Sequence, residues 1–161
     1  TSIDWRFGWR GVLAGLAVFL LWIAVDWTLG GGAGAKGMPV ELANAPLALR
    51  VSWLLARIAG AVLAVPVAEE LAFRGFGLRR LVEEHFESVP WGKVTGISLG
   101  VSSLLFGVLH GGLWFAGIAA GLIYGLVMVW RGRLGESIGA HATTNALLAI
   151  YVLVSGRWDL W

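Results

Sequence analysis

Long apolar stretches separated by short polar or glycine-rich segments dominate the chain, and their lengths predict membrane-spanning helices. Residues 11–25 are apolar and lie between Trp9 and Trp27, which read as interfacial brackets of a first span of about 20 residues. Asp26 falls near the end of that span, where a charge reaches water. Residues 30–46 are rich in glycine and predict a flexible loop. A second apolar region covers residues 47–81 and is interrupted at Pro66. Residues 79–93 are polar and predict a surface segment. Residues 95–110, 113–130 and 136–154 predict a third, fourth and fifth span, with a tight loop over residues 131–133. No internal repeat or low-complexity tract is present. The expected fold class is all-α, a polytopic transmembrane helical bundle of about five spans forming one membrane-embedded domain over residues 1–161.

Basic residues orient this arrangement. With five spans, Arg6, Arg10, Arg79, Arg80, Lys93, Arg131 and Arg133 fall on one side, against Lys36 and Arg157 on the other. The positive-inside bias places the first group, and with it the N-terminus, in the cytoplasm. Splitting the second region into two spans at Pro66 would remove the asymmetry, which favours five. The location expected is integral to a membrane, with the N-terminus of this segment on the cytoplasmic side.

Composition supports the membrane reading and narrows the function. Charged residues make up 14% of the 161 residues, where soluble domains carry about 25%. The mean hydropathy is +0.78, and 24 Gly and 10 Trp fit a helical membrane protein. A net charge of +2, without a basic stripe, argues against nucleic acid as a partner. The absence of cysteine excludes disulfides and thiolate metal sites. The chain begins at Thr1 rather than Met, which suggests a piece of a longer protein. The first apolar run lacks a small-x-small cleavage pattern, so it reads as a span rather than a signal peptide.

Against this background, three polar patterns inside apolar helices stand out: Glu69-Glu70-x-x-x-Arg74, Phe106-x-x-x-His110 and His141-x-x-x-Asn145. Ionisable residues at the centre of a span cost roughly 2.5–3.5 kcal/mol each on insertion scales and mark a functional site by default. Glu70 and Arg74 are one turn apart, in the order that favours an ion pair. Glu69 points about 100° away from Glu70. One carboxylate is thereby held structurally while the other is free to act as a general base. The plainer alternative is that all three residues join helices. His110 ends an apolar run before two glycines, where a cap or an interfacial role competes with a functional one. Phe106, a turn earlier on the same face, reads as a packing residue. His141 and Asn145 share a face and offer two donors for a developing oxyanion. Interhelical hydrogen bonding is the alternative there, and Thr143 and Thr144 fit it better. On straight helices Glu69, His141 and Asn145 lie roughly 12–18 Å from the cytoplasmic ends, with His110 about 8–10 Å deeper.

The run Glu-Glu-Leu-Ala-Phe-Arg-Gly (69–75), with Phe-x-x-x-His (106–110) and His-x-x-x-Asn (141–145), resembles the CAAX protease and bacteriocin-processing family of glutamic intramembrane proteases. The three motifs occur in order over half the chain; residues 1–50 carry none. The resemblance implies a CAAX-protease-like core, in which Glu69 acts with His110 to activate water and His141 with Asn145 forms the oxyanion site. Glu70, Arg74 and Phe106 support them. It implies no metal and no cofactor, a membrane-associated peptide or protein substrate in the lipid bilayer, and a cavity open to the cytoplasmic side. The Trp-rich ends and residues 141–146 also resemble the branch associated with bacterial exosortase sorting systems, which makes an exosortase-type sorting protein a candidate partner and implies the inner (cytoplasmic) membrane of a bacterium as the location.

Other chemistries fit less well. His-Glu-x-x-His, Gly-x-Ser-x-Gly and Gly-x-Gly-Asp are absent. Ser102 and Ser103 are two turns from His110, too far for a dyad on one helix. A zinc site of His110, His141 and a glutamate is the nearest enzymatic alternative. A non-catalytic membrane protein that binds or shields a peptide, as an immunity or scaffold factor, is the alternative from another class. A proton-coupled transporter is less favoured because no two-fold repeat is visible.

Overall fold

The computed structural model describes residues 2–29 and 37–161; residues 30–36 of the expected flexible loop lie outside the described residues. Among the described residues all regular structure is helical. The main elements are α1 (Trp9–Thr28), α2 (Val40–Ala43), α3 (Leu47–Arg80), α4 (Gly96–Val108), α5 (Trp114–Arg131) and α6 (Leu134–Ser155). Helices α1, α3 and α6, and α5 with the 3₁₀ turn before it, are long and apolar enough to cross a membrane. The chain is an integral membrane protein built as a helical bundle.

Two expectations change in detail. Helix α4 has 13 residues, about 20 Å at 1.5 Å per residue, short of a hydrocarbon core of about 30 Å. It ends because the chain turns through a 3₁₀ segment, Gly111–Leu113, in which Gly111 adopts a positive φ of 56°. The second apolar region is a single 34-residue helix, and Pro66 does not divide it. Two π-helical segments, Gly60–Ala64 and Leu71–Gly77, flank the turn that carries Pro66. A proline lacks the N–H that its helix would use, and a widened turn accommodates the missing bond.

Close packing comes from small residues, as expected where lipid supplies no hydrophobic drive between helices. Along α1, a side chain at Gly15 would meet the Ala140 carbonyl and the Thr143 Cβ, and one at Gly11 would meet the Glu136 backbone. Between α4 and α5, Gly117 sits against Gly107 and Gly121 against Ser103. Gly15→Leu is expected to lower stability by about 1–3 kcal/mol or more, the usual cost of overpacking. Thermal unfolding in detergent checks this; an unchanged melting temperature would contradict the close α1–α6 contact.

Polar anchors fix the ends of the bundle. The N-terminus of α1 has no side-chain cap of its own; instead Gly8 N–H and Gly11 N–H donate to Glu136 Oε2, and Arg133 donates to Glu136 Oε1 at 2.7 Å. Asp26 does not reach water as expected. It is buried and accepts from Arg157 at 3.0 Å, a pairing across 131 positions of sequence. Arg157 also donates to Asp159, whose carboxyl it holds below the usual carboxylate range. The segment 79–93 is likewise not wholly a surface stretch. Arg79 is buried, lies over the Trp91 ring at 4.1 Å and donates to the Val89 carbonyl.

Candidate active site

The α-helical turn Val65–Glu70 and the π segment after it present the first motif to the bundle interior. Arg74 Nη1 donates to Glu70 Oε1 at 3.0 Å, with both side chains fully buried. The pair expected from the i, i+4 spacing forms even though a π segment begins between its members. The rest of Arg74 is also matched: Nη2 donates to the Gly121 carbonyl at 3.0 Å, and the guanidinium lies 4.3 Å over the Phe106 ring. Glu70 carries two further contacts from α6. Ser137 Oγ donates to Oε2 at 2.6 Å, and His141 Nδ1 lies 3.0 Å from Oε1. A buried, ion-paired carboxylate accepts, so Nδ1 carries the proton and the Nε2 side of His141 is left for other work.

That Nε2 lies 4.0 Å from Glu69 Oε2. Glu69 is half-buried, and its Oε2 is shielded from solvent without a hydrogen-bond partner among the described residues. An orphaned carboxylate oxygen in a low-dielectric site is costly unless something binds there. Glu70 is thus held by Arg74, Ser137 and His141, whereas Glu69 Oε2 faces His141 Nε2 at 4.0 Å without a hydrogen bond among the described residues.

His110 lies just beyond α4 and is held by three contacts. Its Nδ1 donates to the Phe106 carbonyl at 2.8 Å, since a carbonyl only accepts. Its ring meets Trp22 edge-on with centroids 5.3 Å apart, and Phe106 at 4.7 Å. Phe106 packs as expected, with its ring against His110, His141 and Phe73. Glu69, His110, His141 and Asn145 all line one cavity of about 200 Å³. The extra depth of His110 expected on straight helices does not keep it from this cavity. Among the described residues its hydrogen bond goes to Phe106 and not to Glu69.

Asn145 is positioned by α3. Its Nδ2 donates to the Ala61 carbonyl at 2.8 Å. In the π segment, Val65 N–H reaches back to the Gly60 carbonyl. The next bond of that series would join residue 66 to the carbonyl of residue 61, and Pro66 has no N–H to make it. The proline thus leaves the acceptor that Asn145 uses. Pro66→Ala restores a competing donor, and is expected to loosen Asn145 with only a small change in melting temperature. Amide signals of selectively labelled asparagine check this; an unperturbed Asn145 amide would contradict the account.

Several contributors are not marked in the sequence. Tyr124 stacks on His141 at 5.0 Å and donates to Thr144, which in turn donates to the Gly15 carbonyl. Nothing local marks Tyr124. Ser137 had a readable signal, because it lies one turn before His141 on the same face. Thr144 makes the interhelical contact expected of it through the Gly15 carbonyl, whereas Thr143 donates within α6, to the Gly139 carbonyl. The zinc set considered from the sequence is not assembled: among the described residues no three His, Asp or Glu side chains group to hold a metal ion.

The bundle and its interior carboxylate–imidazole cluster define a polytopic helical membrane protein with an intramembrane polar site. The family model of Rce1-like type II CAAX prenyl endopeptidases matches residues 51–147, which include all three motifs. The chain belongs to this family. An uncharacterized protein of Bacillus subtilis (strain 168), YyaK, is 32% identical to it over 168 aligned residues, covering 91% of this chain and 49% of that protein. The chain thus spans about half the length of the curated relative it matches. No solved structure matches it.

Proposed function

We propose that the chain carries the catalytic site of an intramembrane endopeptidase that hydrolyses a peptide bond of a membrane-associated protein or peptide. The observation that carries this reading is Glu69 Oε2, a buried carboxylate oxygen without a hydrogen-bond partner among the described residues, in a cavity that His110, His141 and Asn145 also line. Water bound there gives a proton to Glu69 as its oxygen attacks the scissile carbonyl. His110 assists through Nε2, the nitrogen left free by its bond to Phe106. The tetrahedral oxyanion is held by Asn145, through the amide hydrogen not given to Ala61, and by His141 Nε2–H. With Nδ1–H committed to Glu70, His141 donates from Nε2 only when the ring carries both protons. Collapse breaks the C–N bond, and the proton returns from Glu69 to the leaving amine. Glu70, Arg74 and Ser137 are positioning residues for His141.

The same reading places the protein in a bacterial cytoplasmic membrane with the N-terminal end of α1 inside. Partnership with an exosortase-type sorting system belongs to this proposal and rests on the Trp-rich ends and residues 141–146 alone. The test is cleavage of a membrane-peptide library by the purified protein beside Glu69→Gln, with and without EDTA. Cleavage that is lost in the variant and indifferent to EDTA supports the glutamate mechanism. Cleavage that survives the substitution, or stops with EDTA, rejects it.

A further inference from the structure

A second concavity lies on the outside of the bundle and shares no lining residue with the cavity that holds Glu69. It is an apolar groove of about 600 Å³ between α1 and α5. Its floor is partly covered: Ala14 and Ile123 are half-buried and Val127 is buried. Leu13 and Leu126, one from each helix, form its walls and are each 53% exposed. Trp9, Arg10 and Trp130 close one end. Along α5 the groove runs from Trp130 to Ile123, roughly 10 Å at 1.5 Å per residue. The two tryptophans are exposed, and indole rings in that setting sit between headgroups and acyl chains. The groove therefore runs from that boundary into the hydrocarbon, which is the course of an acyl chain.

Arg10 supplies the charge. Its guanidinium lies over the Trp130 ring at 4.5 Å and the Trp9 ring at 5.1 Å. It makes no hydrogen bond or ion pair among the described residues, and its Nε is shielded from solvent without a partner. The neighbouring arginines differ. Arg131 and Arg133 share the carboxylate of Glu136, at 3.6 and 2.7 Å, and Arg6 is paired with Asp4. With Glu136 set against Arg10, Arg131 and Arg133, this end of α1 and α5 keeps an excess of positive charge. An unmatched guanidinium at the interface calls for an acceptor, and phosphate oxygens suit its planar fork. A zwitterionic lipid fits the groove equally in shape, but only an anionic headgroup also offsets the excess charge. We propose that the groove binds an anionic phospholipid, one acyl chain lying over Ala14, Ile123 and Val127 and the headgroup phosphate meeting Arg10. In the orientation proposed above, that lipid belongs to the cytoplasmic leaflet. The floor residues pack in the same apolar cluster as Phe106 and Tyr124, so the lipid braces the helices whose rings contact His110 and His141.

Lipid binding is read without cleavage, so this inference and the peptidase reading fail separately. The purified full chain, delipidated in detergent, is titrated with dioleoylphosphatidylglycerol, dioleoylphosphatidylcholine or glycerol 3-phosphate and followed by native mass spectrometry. The first phosphatidylglycerol is expected to bind about tenfold or more tighter than phosphatidylcholine, as one hydrogen bond between charged groups contributes. Glycerol 3-phosphate, which has the phosphate without the chains, is expected not to bind. Arg10→Gln is expected to remove the preference and Arg10→Lys to restore part of it. Arg80→Gln, at an exposed arginine paired with Glu84, is expected to leave it intact. Ala14→Leu fills the floor and is expected to weaken both lipids by about tenfold. Melting temperatures taken alongside establish that each variant is folded. Equal affinity of the parent for the two lipids, a preference that survives Arg10→Gln, or glycerol 3-phosphate binding as tightly as the lipid overturns the site. A dimer that excludes lipid and dissociates in Ala14→Leu also overturns it, because a second copy then covers the groove.

Discussion

Glu69→Gln is expected to reduce peptide cleavage by about 10²–10⁴-fold, the range a positioned general base contributes, while leaving the melting temperature where it was. The two halves of this expectation have separate causes. The amide keeps the shape of the carboxylate, so the wall of the cavity is preserved, but it cannot take the proton of water. Because Glu69 Oε2 accepts no hydrogen bond among the described residues, the substitution removes no structural contact at that oxygen. Single-turnover cleavage beside thermal unfolding in detergent separates the effects. A variant that cleaves within a fewfold of the parent would remove Glu69 from the chemistry. A variant that loses both activity and stability would make Glu69 a packing residue, as the plainer reading of its motif has it.

Arg74→Leu is expected to do the reverse in order of cause: to destabilise first, by about 3–5 kcal/mol, and to lower activity as a consequence. That magnitude is typical when one member of a buried ion pair is removed and the other charge is left uncompensated. Arg74 also supplies the donor for the Gly121 carbonyl and the cation over Phe106, so α5 loses a tie to α3 at the same time. The double variant Glu70→Leu/Arg74→Leu distinguishes charge from shape. Removing both charges is expected to recover much of the stability, since well-packed apolar replacements of buried pairs are often tolerated. Activity is not expected to return, because His141 Nδ1 and Ser137 lose their carboxylate. Denaturation of the two variants side by side is the measurement. A single variant within about 1 kcal/mol of the parent would contradict the burial described for this pair.

Legibility in the sequence depends on the range of each interaction. The Glu70–Arg74 pair, the divergence of Glu69 from Glu70 and the shared face of His141 and Asn145 are all set by helical spacing within one segment. The distant partners of those residues were not readable. His141 meets Glu70 from 71 positions away, and Asp26 meets Arg157 from 131. A charge near the end of a span reads as water-facing unless its distant partner is known. The same limit applies to Arg79, whose burial depends on Trp91 folding back over it. Pro66 was legible as a local event but not in its outcome. A missing N–H can end a helix or widen it, and only the packing of α6 against α3, with Asn145 ready to use the freed carbonyl, decides between them. The spans were legible because length and apolarity are local quantities. The shortness of α4 was not, because its apolar pattern runs past the residue where the backbone turns.

The two widened turns in α3 also decide where this helix tolerates a change of length. Each turn absorbs one residue more than an α-helix needs, whereas each α-helical residue rotates the rest of its helix by about 100°. Deleting a single apolar residue among 60–64 would let the backbone relax to ordinary pitch, with little loss of burial in a helix that is mostly lipid-facing. Because that turn already holds the surplus residue, the two halves of α3 would stay nearly in phase, with Arg57 still on the cavity wall. A residue added at the same place would find no such slack and would turn the Arg57 half against the Glu69 half by about 100°. The helix thus carries its own length buffer next to the site. When relatives are aligned, a gap just before Pro66 marks loss of the widened turn, whereas an insertion there marks a change of face.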